Sequence, residues 1–316
     1  MDVYNLHTMQ KEEGVSSPLS VALGNFDGVH VGHAALITRA VEIAKARSIA
    51  SAVWTFADGA DALPNKPAAN AITTTEEKLA LIAALGVDYA ILESFERVRG
   101  YSPERFVKEL LIGKCGAVCA VCGFNFRFGA GGLGTGDTLA ELMRPYDCIV
   151  VPPVYADGIP VSSTGARLLI EAGDMEGAAR LLGRPFSIDF PVVHGKKLGR
   201  TIGIPTINQQ FPDGHVIPRS GIYACKVEIG AERFPGVANV GIRPTIAEDS
   251  HTVNCETHII HYTGWLYGEN IKVSFFKRLR DEIKFDSIDA LRAQIERDIA
   301  GTLDYFSDEQ RKECDS

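Results

Sequence analysis

An α/β fold in two parts is predicted by three features of the sequence. Over residues 18–155, apolar β-type runs alternate with helical patterns. After residue 186, the runs switch to a period of two and are separated by Gly, Pro and Asn. One strong amphipathic helix then closes the chain. In the first part, strands are expected at Leu19–Leu23, Ala50–Phe56, Tyr89–Leu92, Ala117–Cys122 and Cys148–Val151. These runs are apolar throughout, the mark of a parallel sheet covered on both faces. Between them, apolar residues at three- and four-residue spacing predict helices over Val31–Arg47, Thr75–Leu85, Pro103–Ile112 and Asp137–Met143. The second helix opens behind a Thr cap and two glutamates, the third behind Ser102-Pro103. Two short helices follow at Ala166–Ala172 and Met175–Leu182, ending at Gly183-Arg184-Pro185, and the boundary is set there, giving domains 1–185 and 186–316. In the second part, Gly221–Ile229, Thr252–Ile260 and Ile271–Phe276 predict an antiparallel barrel or sandwich. The closing helix is Ile288–Leu303, with Leu291, Ile295, Ile299 and Leu303 on one face.

The bulk composition narrows the function classes. Of 316 residues, 46% are hydrophobic and 23% charged, the make-up of a globular protein. A net charge of −8 disfavours a broad electrostatic hold on nucleic acid. No apolar run approaches the roughly 18 residues that cross a bilayer, and the polar start Met1–His7 carries no secretory pattern, so the chain is read as cytoplasmic. The seven cysteines then read as reduced thiols. Cys115, Cys119 and Cys122 have a spacing that suits three ligands of an iron–sulfur cluster, but Ala117–Cys122 reads better as a buried strand.

The most informative segment of the first part is Gly24-Asn25-Phe26-Asp27-Gly28-Val29-His30-Val31-Gly32-His33. It leaves the first strand and opens the first long helix, the place where an α/β sheet holds phosphate. His30-Val31-Gly32-His33 resembles the H-x-G-H signature of nucleotidyltransferases. When a phosphate attacks the α-phosphate of ATP, charge builds on the phosphoryl oxygens, and imidazoles and helix-end N–H groups aimed there stabilise it. A second signature of the same kind is Ser162-Ser163-Thr164-Gly165-Ala166-Arg167, whose hydroxyls and Arg suit a triphosphate. Gly129-Ala130-Gly131-Gly132-Leu133-Gly134 satisfies the dinucleotide fingerprint but follows the wrong strand, and Thr135 stands where a P-loop needs Lys.

In the second part, His194–Asn208 combines Gly195, Gly199 and Gly203 with Lys196, Lys197 and Arg200, a composition that suits a loop around phosphates. Thr206 and Asn208 lie two apart, so an extended backbone puts both side chains on one face, where their oxygens fit a Mg²⁺ site with phosphates and water. Along Val253–Ile259, Asn254, Glu256 and His258 share a face, and Glu256 is a candidate general base.

Taken together, these strings resemble the bacterial bifunctional riboflavin kinase/FMN adenylyltransferase (FAD synthetase) family over nearly the whole chain. The match also takes in Gly123–Gly129, Leu181–Pro185, Ser220–Tyr223, Gly236–Gly241 with Arg243-Pro244-Thr245, Leu266–Gly268, Leu279-Arg280 and Lys284-Phe285. The resemblance implies a Rossmann-like nucleotidyltransferase sheet followed by a riboflavin kinase-like barrel. It implies two reactions: ATP phosphorylates riboflavin to FMN in the C-terminal domain, and FMN is adenylylated to FAD in the N-terminal domain with release of pyrophosphate. By the same resemblance His30 and His33 are catalytic, while Gly24, Asn25, Phe26, Asp27, Gly32, Asn125, Ser163, Thr164 and Arg167 bind ATP. Glu256 is the kinase base, Gly195, Lys196, Gly199, Arg200 and Gly203 hold kinase phosphates, and Thr206 and Asn208 bind Mg²⁺. Arg280, in a mobile loop near the flavin, and Arg243 bind the flavin. The expected partners are riboflavin, FMN, FAD and ATP, with no nucleic acid and no membrane; oligomeric state stays open.

The sequence departs from the family pattern in the first part. Thr55-Phe56 is followed by Ala57-Asp58-Gly59-Ala60 in place of an Asp-Pro-His-Pro-like string, the stretch Ala130–Gly136 lacks basic residues, and position 166 is Ala. These departures motivate an alternative, a riboflavin kinase with a weakened adenylyltransferase half. A flavin-binding regulator is disfavoured by Glu256, Thr206 and Asn208, since binding alone needs no base, and a flavin- or NAD-dependent oxidoreductase ranks last.

Overall fold

The computed structural model describes residues 1–5, 18–56, 70–195, 199, 203–244 and 251–314. The chain divides into two compact units, Met1–Ser163 and Thr164–Ser316.

The first unit is a six-stranded parallel sheet. Its strands are β1 (Asp2–Asn5), β2 (Leu19–Leu23), β3 (Ala50–Phe56), β4 (Tyr89–Glu93), β5 (Ala117–Gly123) and β6 (Asp147–Val151), in the order β1-β4-β3-β2-β5-β6. From the central β2 the chain winds outward through β3 and β4 on one side and through β5 and β6 on the other, so the loops leaving β2 and β5 diverge. That divergence is the switch point at which open α/β sheets bind ligands, beyond the carboxyl ends of the strands. All of β2 is buried, as the unbroken apolar run requires. The connections are α1 (Val31–Arg47), α2 (Thr75–Ala83), the short α3 (Phe95–Val98), α4 (Pro103–Arg105) running on as π turns over Phe106–Lys114, and α5 (Gly136–Met143). The π winding departs from the α-helix read from the sequence. It pairs residues five apart, as in Cys115 N–H to Leu110 O at 3.0 Å, and keeps Phe106, Val107, Leu110 and Leu111 all buried. A small hairpin, β7 (Tyr155–Ala156) and β8 (Ile159–Pro160), completes the unit.

Cys119 and Cys122 alternate across β5, so Cys122 enters one apolar core and Cys119 the other. Opposite faces of a sheet cannot share one cluster, which removes the iron–sulfur reading. Burial also pushes the Cys115 thiol up to about 12, the behaviour of an inert core cysteine.

The second unit opens with α6 (Ser163–Ala172, its first residue at the end of the first unit) and α7 (Met175–Leu182), the latter capped by the Asp174 carboxylate and stopped at Gly183 with φ +73°. A nearly closed antiparallel barrel follows, made of β9 (Phe186–Pro191), β10 (Ile207–Gln210), β11 (Gly221–Ile229), β12 (Glu232–Pro244), β13 (His251–Ile259) and β14 (Asn270–Arg280), in the order β10-β13-β12-β11-β14-β9. The closing helix, α8 (Ile288–Cys314), runs past the predicted Leu303, and Ile299 and Leu303 pack on Ile222, Val237 and Ile260 of the barrel's outer face.

The seam between β10 and β9 is bridged by a side chain. Gln209 is fully buried, and its Nε2 donates to Phe190 O at 2.7 Å and to Ile271 O at 2.6 Å. Gln209→Leu removes two hydrogen bonds to buried carbonyls, so an expected loss of about 1–3 kcal/mol should appear as a lower urea midpoint and faster amide exchange in β9 and β10. An unchanged midpoint would mean the seam does not depend on this amide.

Candidate active sites

In the first unit, the loop from β2 to α1 is backbone under strain, braced from several sides. Phe26 and Val29 are buried with φ of +55° and +35°, values that non-glycine residues rarely adopt. The Asp27 Oδ1 accepts from the backbone N–H of Ile72 at 2.9 Å and of Thr73 at 3.3 Å, and Gly28 N–H donates to Thr73 Oγ1 at 3.1 Å. Ser163 Oγ donates to Asp27 O at 2.9 Å, and Thr55 Oγ1 to Asn25 O at 3.0 Å. The ammonium of Lys78, almost wholly buried, donates to Phe56 O at 2.8 Å and reaches Asn25 O at 3.4 Å. Over-determination of this kind holds a loop in a conformation it would not choose alone.

The braces present two imidazoles at the start of α1. His30 is the N-cap, its Nδ1 accepting the backbone N–H of His33 at 3.1 Å. With that lone pair engaged, the neutral ring carries its proton on Nε2 and offers it as a donor. The His33 ring stacks on it, centroids 3.6 Å apart and planes 13° from parallel. Gly32 leaves room for this arrangement, since a Cβ there would stand 3.2 Å from His30 Cε1. Across the switch point, the turn after β5 carries the exposed Asn125. Ser163 starts α6, with Thr164 exposed beside it and Arg167 buried one turn on.

In the second unit, strand register assembles the candidates. Asn208 on β10 stands directly opposite Glu256 on β13, and Glu256 opposite Asn239 on β12. The same row continues through Ile222 on β11 to Arg280 on β14. Directly paired residues share a face, so these side chains lie on the outer side of the barrel. Asn208 is buried, and its amide lies over Gly195: a Cβ on Gly195 would be 2.5 Å from Asn208 Nδ2. Gly199 fits against Ile204 O, with Thr206 Oγ1 3.6 Å from where a Cβ would be. Thr206 Oγ1 and Asn208 Oδ1, beside Gly199 and Gly195, are hard oxygen donors of the kind Mg²⁺ takes from proteins, which leaves its other positions to phosphate and water. Beside Thr206 an open pocket of about 180 Å³ is lined by Val192, Pro205, Ile207, Ile259, Leu266 and Tyr267 among others, and the His194 ring stacks on Tyr267 at 4.3 Å.

A FAD synthetase family model matches residues 12–165, and a riboflavin kinase model matches 182–306. The bifunctional riboflavin kinase/FMN adenylyltransferase of Bacillus subtilis is 36% identical over 310 residues, 95% of this chain and 96% of that protein. The chain belongs to the bifunctional riboflavin kinase/FMN adenylyltransferase family. The Escherichia coli K12 member is 36% identical, covering 90% of this chain and 92% of its own, and the Pseudomonas fluorescens member is 35% identical, covering 94% and 95%. A crystal structure of a protein named as a macrolide-efflux protein, from Streptococcus pneumoniae, matches with a TM-score of 0.84 at 30% identity over 96% of this chain and 99% of that one.

Against the family reading, several candidates sit where the sequence placed them and others differ. His30 and His33 meet at α1, and Asn208 and Glu256 are directly opposed on the barrel, with Thr206 just ahead of β10. Asp27 spends Oδ1 on backbone N–H groups, the contacts of a loop brace. Arg280 ends β14 instead of lying in a loop, and its guanidinium forks onto Asp298 of α8, Nη2 to Oδ2 at 2.6 Å and Nε to Oδ1 at 3.0 Å. Lys196, Arg200 and the departing string Ala57–Ala60 lie outside the described residues, as does the side chain of Arg243. Sequence reasoning passes over Lys78, which a helix pattern marks as an ordinary surface lysine, and Asn239, whose partnership with Glu256 is a matter of register alone. Among the described residues, no helix is long and apolar enough to cross a membrane.

Proposed function

We propose that this chain makes FMN from riboflavin and FAD from FMN, each time consuming ATP, with the functional division at 185/186. What supports this reading is that the FAD synthetase match takes in the stacked His30 and His33, and the riboflavin kinase match takes in Asn208 directly opposite Glu256. The FAD synthetase match spans the departing loops as well, and nothing favours the kinase-only alternative.

In the barrel, Glu256 takes the proton of the 5′-hydroxyl as its oxygen attacks the γ-phosphorus and ADP leaves. General-base help of this kind contributes roughly 10²–10⁴-fold. Asn208 and Thr206 would hold Mg²⁺, which when bound neutralises charge on the transferring phosphates. Gly195, Gly199 and Gly203 would offer backbone N–H groups to the phosphates, with Lys196 and Arg200 as cations, and the pocket beside Thr206 suits the nucleoside. Arg280, fixed by Asp298, and Arg243 are assigned to flavin binding.

In the parallel sheet, a phosphate oxygen of FMN attacks the α-phosphorus of ATP and pyrophosphate leaves. His30 donates from Nε2–H and His33 from its stacked ring to the oxygens that gain charge, while Gly24, Asn25, Phe26, Asp27 and Gly32 shape the loop around the nucleotide. Asn125 and Ser163 hold remaining phosphates, and Thr164 and Arg167 are assigned to the same reaction by the Ser-Ser-Thr-x-x-Arg signature.

The test is an endpoint assay with ATP, Mg²⁺ and either riboflavin or FMN, products separated by chromatography. FAD from both substrates is the expected result. FMN without FAD would remove the adenylyltransferase half of the proposal.

A further inference from the structure

We infer that Asn239 and Asn254 form the subsite that reads the hydroxyls of the sugar-alcohol chain of the kinase substrate. The inference rests on the kinase reading of the barrel and concerns two residues outside the catalytic and metal-binding set. Asn254 is 3% exposed on β13, two residues from Glu256, so both side chains leave the same face of the strand. Its Oδ1 is buried with no hydrogen-bond partner among the described residues. Asn239 stands directly across from Glu256 on β12, and its Oδ1 is likewise buried without a donor among them. A buried acceptor left unpaired is costly, and native proteins keep few of them. Here two occur side by side, both flanking the proposed base.

The surroundings add acceptors. Gly241 is the cross-strand partner of Asn254, and a Cβ on it would stand 2.5 Å from Glu282 Oε1, so the Glu282 carboxylate lies over the sheet beside Asn254. Two carboxylates and two carboxamide oxygens thus gather on one patch. The ligand that complements it brings several O–H donors on one short chain.

The spacing fits such a chain. Directly opposed side chains have Cβ atoms about 4.5–5.5 Å apart, and residues two apart on a strand are separated by about 6.6 Å. Four carbons of an extended sugar alcohol span about 4 Å, and the hydroxyls at the two ends extend this to about 6 Å. With the 5′-hydroxyl at Glu256, the inner hydroxyls fall within reach of Asn239 and Asn254. A site built to hydrogen-bond a hydroxyl rejects an analogue lacking it far more strongly than an apolar pocket rejects a missing methylene.

The experiment pairs side chain with hydroxyl in one cycle. Wild-type protein, Asn254→Ala and Asn239→Ala are each assayed with riboflavin and with its 2′-, 3′- and 4′-deoxy analogues. Both kcat/KM and Kd are read, the latter by flavin fluorescence titration. For the wild type, at least one inner deoxy analogue should lose roughly 10–50-fold. Each alanine variant should lose a similar factor with riboflavin, yet discriminate no further against the analogue whose hydroxyl it contacts. Additive losses throughout would overturn the subsite, because they would mean that the amides act only on the fold. So would wild-type indifference to all three analogues, a result that holds even if a variant fails to fold. Restoration of the variants by raised Mg²⁺ would reassign the patch to a cation and also overturn it. A wild-type protein that phosphorylates nothing while still binding flavin would defeat the kinase reading itself, a distinct outcome.

Discussion

Glu256→Gln is expected to cut phosphorylation of riboflavin by roughly 10²–10⁴-fold while supplied FMN is still converted to FAD at the wild-type rate. The substitution keeps the size and shape of the side chain and removes only the capacity to accept a proton. Glu256 lies between Asn208 and Asn239 in the strand register, so a neutral amide there leaves the row geometrically intact. Riboflavin affinity, read by fluorescence titration, should change by no more than a few-fold, and kcat should carry the loss. A mutant that still turns over at a tenth of the wild-type rate would assign the proton to another acceptor. Loss of both activities in a folded protein would mean the two reactions are not divided at 185/186, whereas the candidate residues for adenylyl transfer, from Gly24 to Arg167, all precede the barrel strands.

Much of this arrangement is legible in the amino-acid sequence alone, and what is not has identifiable causes. Strands buried on both faces announce themselves: β2 and β3 run from Leu19 to Leu23 and from Ala50 to Phe56, the bounds read from the apolar runs. The helix Val31–Arg47 is equally plain, because an amphipathic pattern coincides with a loop that needs an N-cap. By contrast β10 reads Ile-Asn-Gln-Gln and looks like a loop, since its inward residue, Gln209, is a polar group whose partners are carbonyls of β9 and β14. Hydrophobic periodicity is blind to a buried amide that is satisfied across the barrel. The pattern of β9 is visible in principle, for Phe186, Ile188 and Phe190 alternate with exposed or half-exposed residues, but the strand is short and follows directly on the boundary turn. The site residues divide the same way. Glycine-rich strings and paired histidines are local and visible in the sequence, while Asn239 and Lys78 gain their meaning from partners 17 and 22 residues or more away in the chain.

His30→Ala is expected to abolish most FAD formation, by roughly 10²–10³-fold, and to leave riboflavin phosphorylation unchanged. Two effects coincide in that variant, because His30 caps α1 through Nδ1 and is also the proposed donor to the α-phosphate. Losing an N-cap costs about 1 kcal/mol, which lowers the unfolding midpoint of the parallel unit and by itself could disturb the loop. His30→Asn separates the two. Asn is among the best N-caps and its Oδ1 can accept the same His33 N–H, so thermal stability should return to near the wild-type value. Its amide does not place a donor where the imidazole Nε2 lies, and the stacked partner of His33 is gone, so adenylyl transfer should stay low. Recovery of FAD synthesis in His30→Asn would show that this histidine serves only to start the helix, and the burden of stabilising the α-phosphate would pass to His33 and the backbone N–H groups of α1. If stability returns without activity, the cap and the chemistry are two uses of one ring: Nδ1 fixes the helix, and by fixing it determines that the proton offered to the phosphate is the one on Nε2.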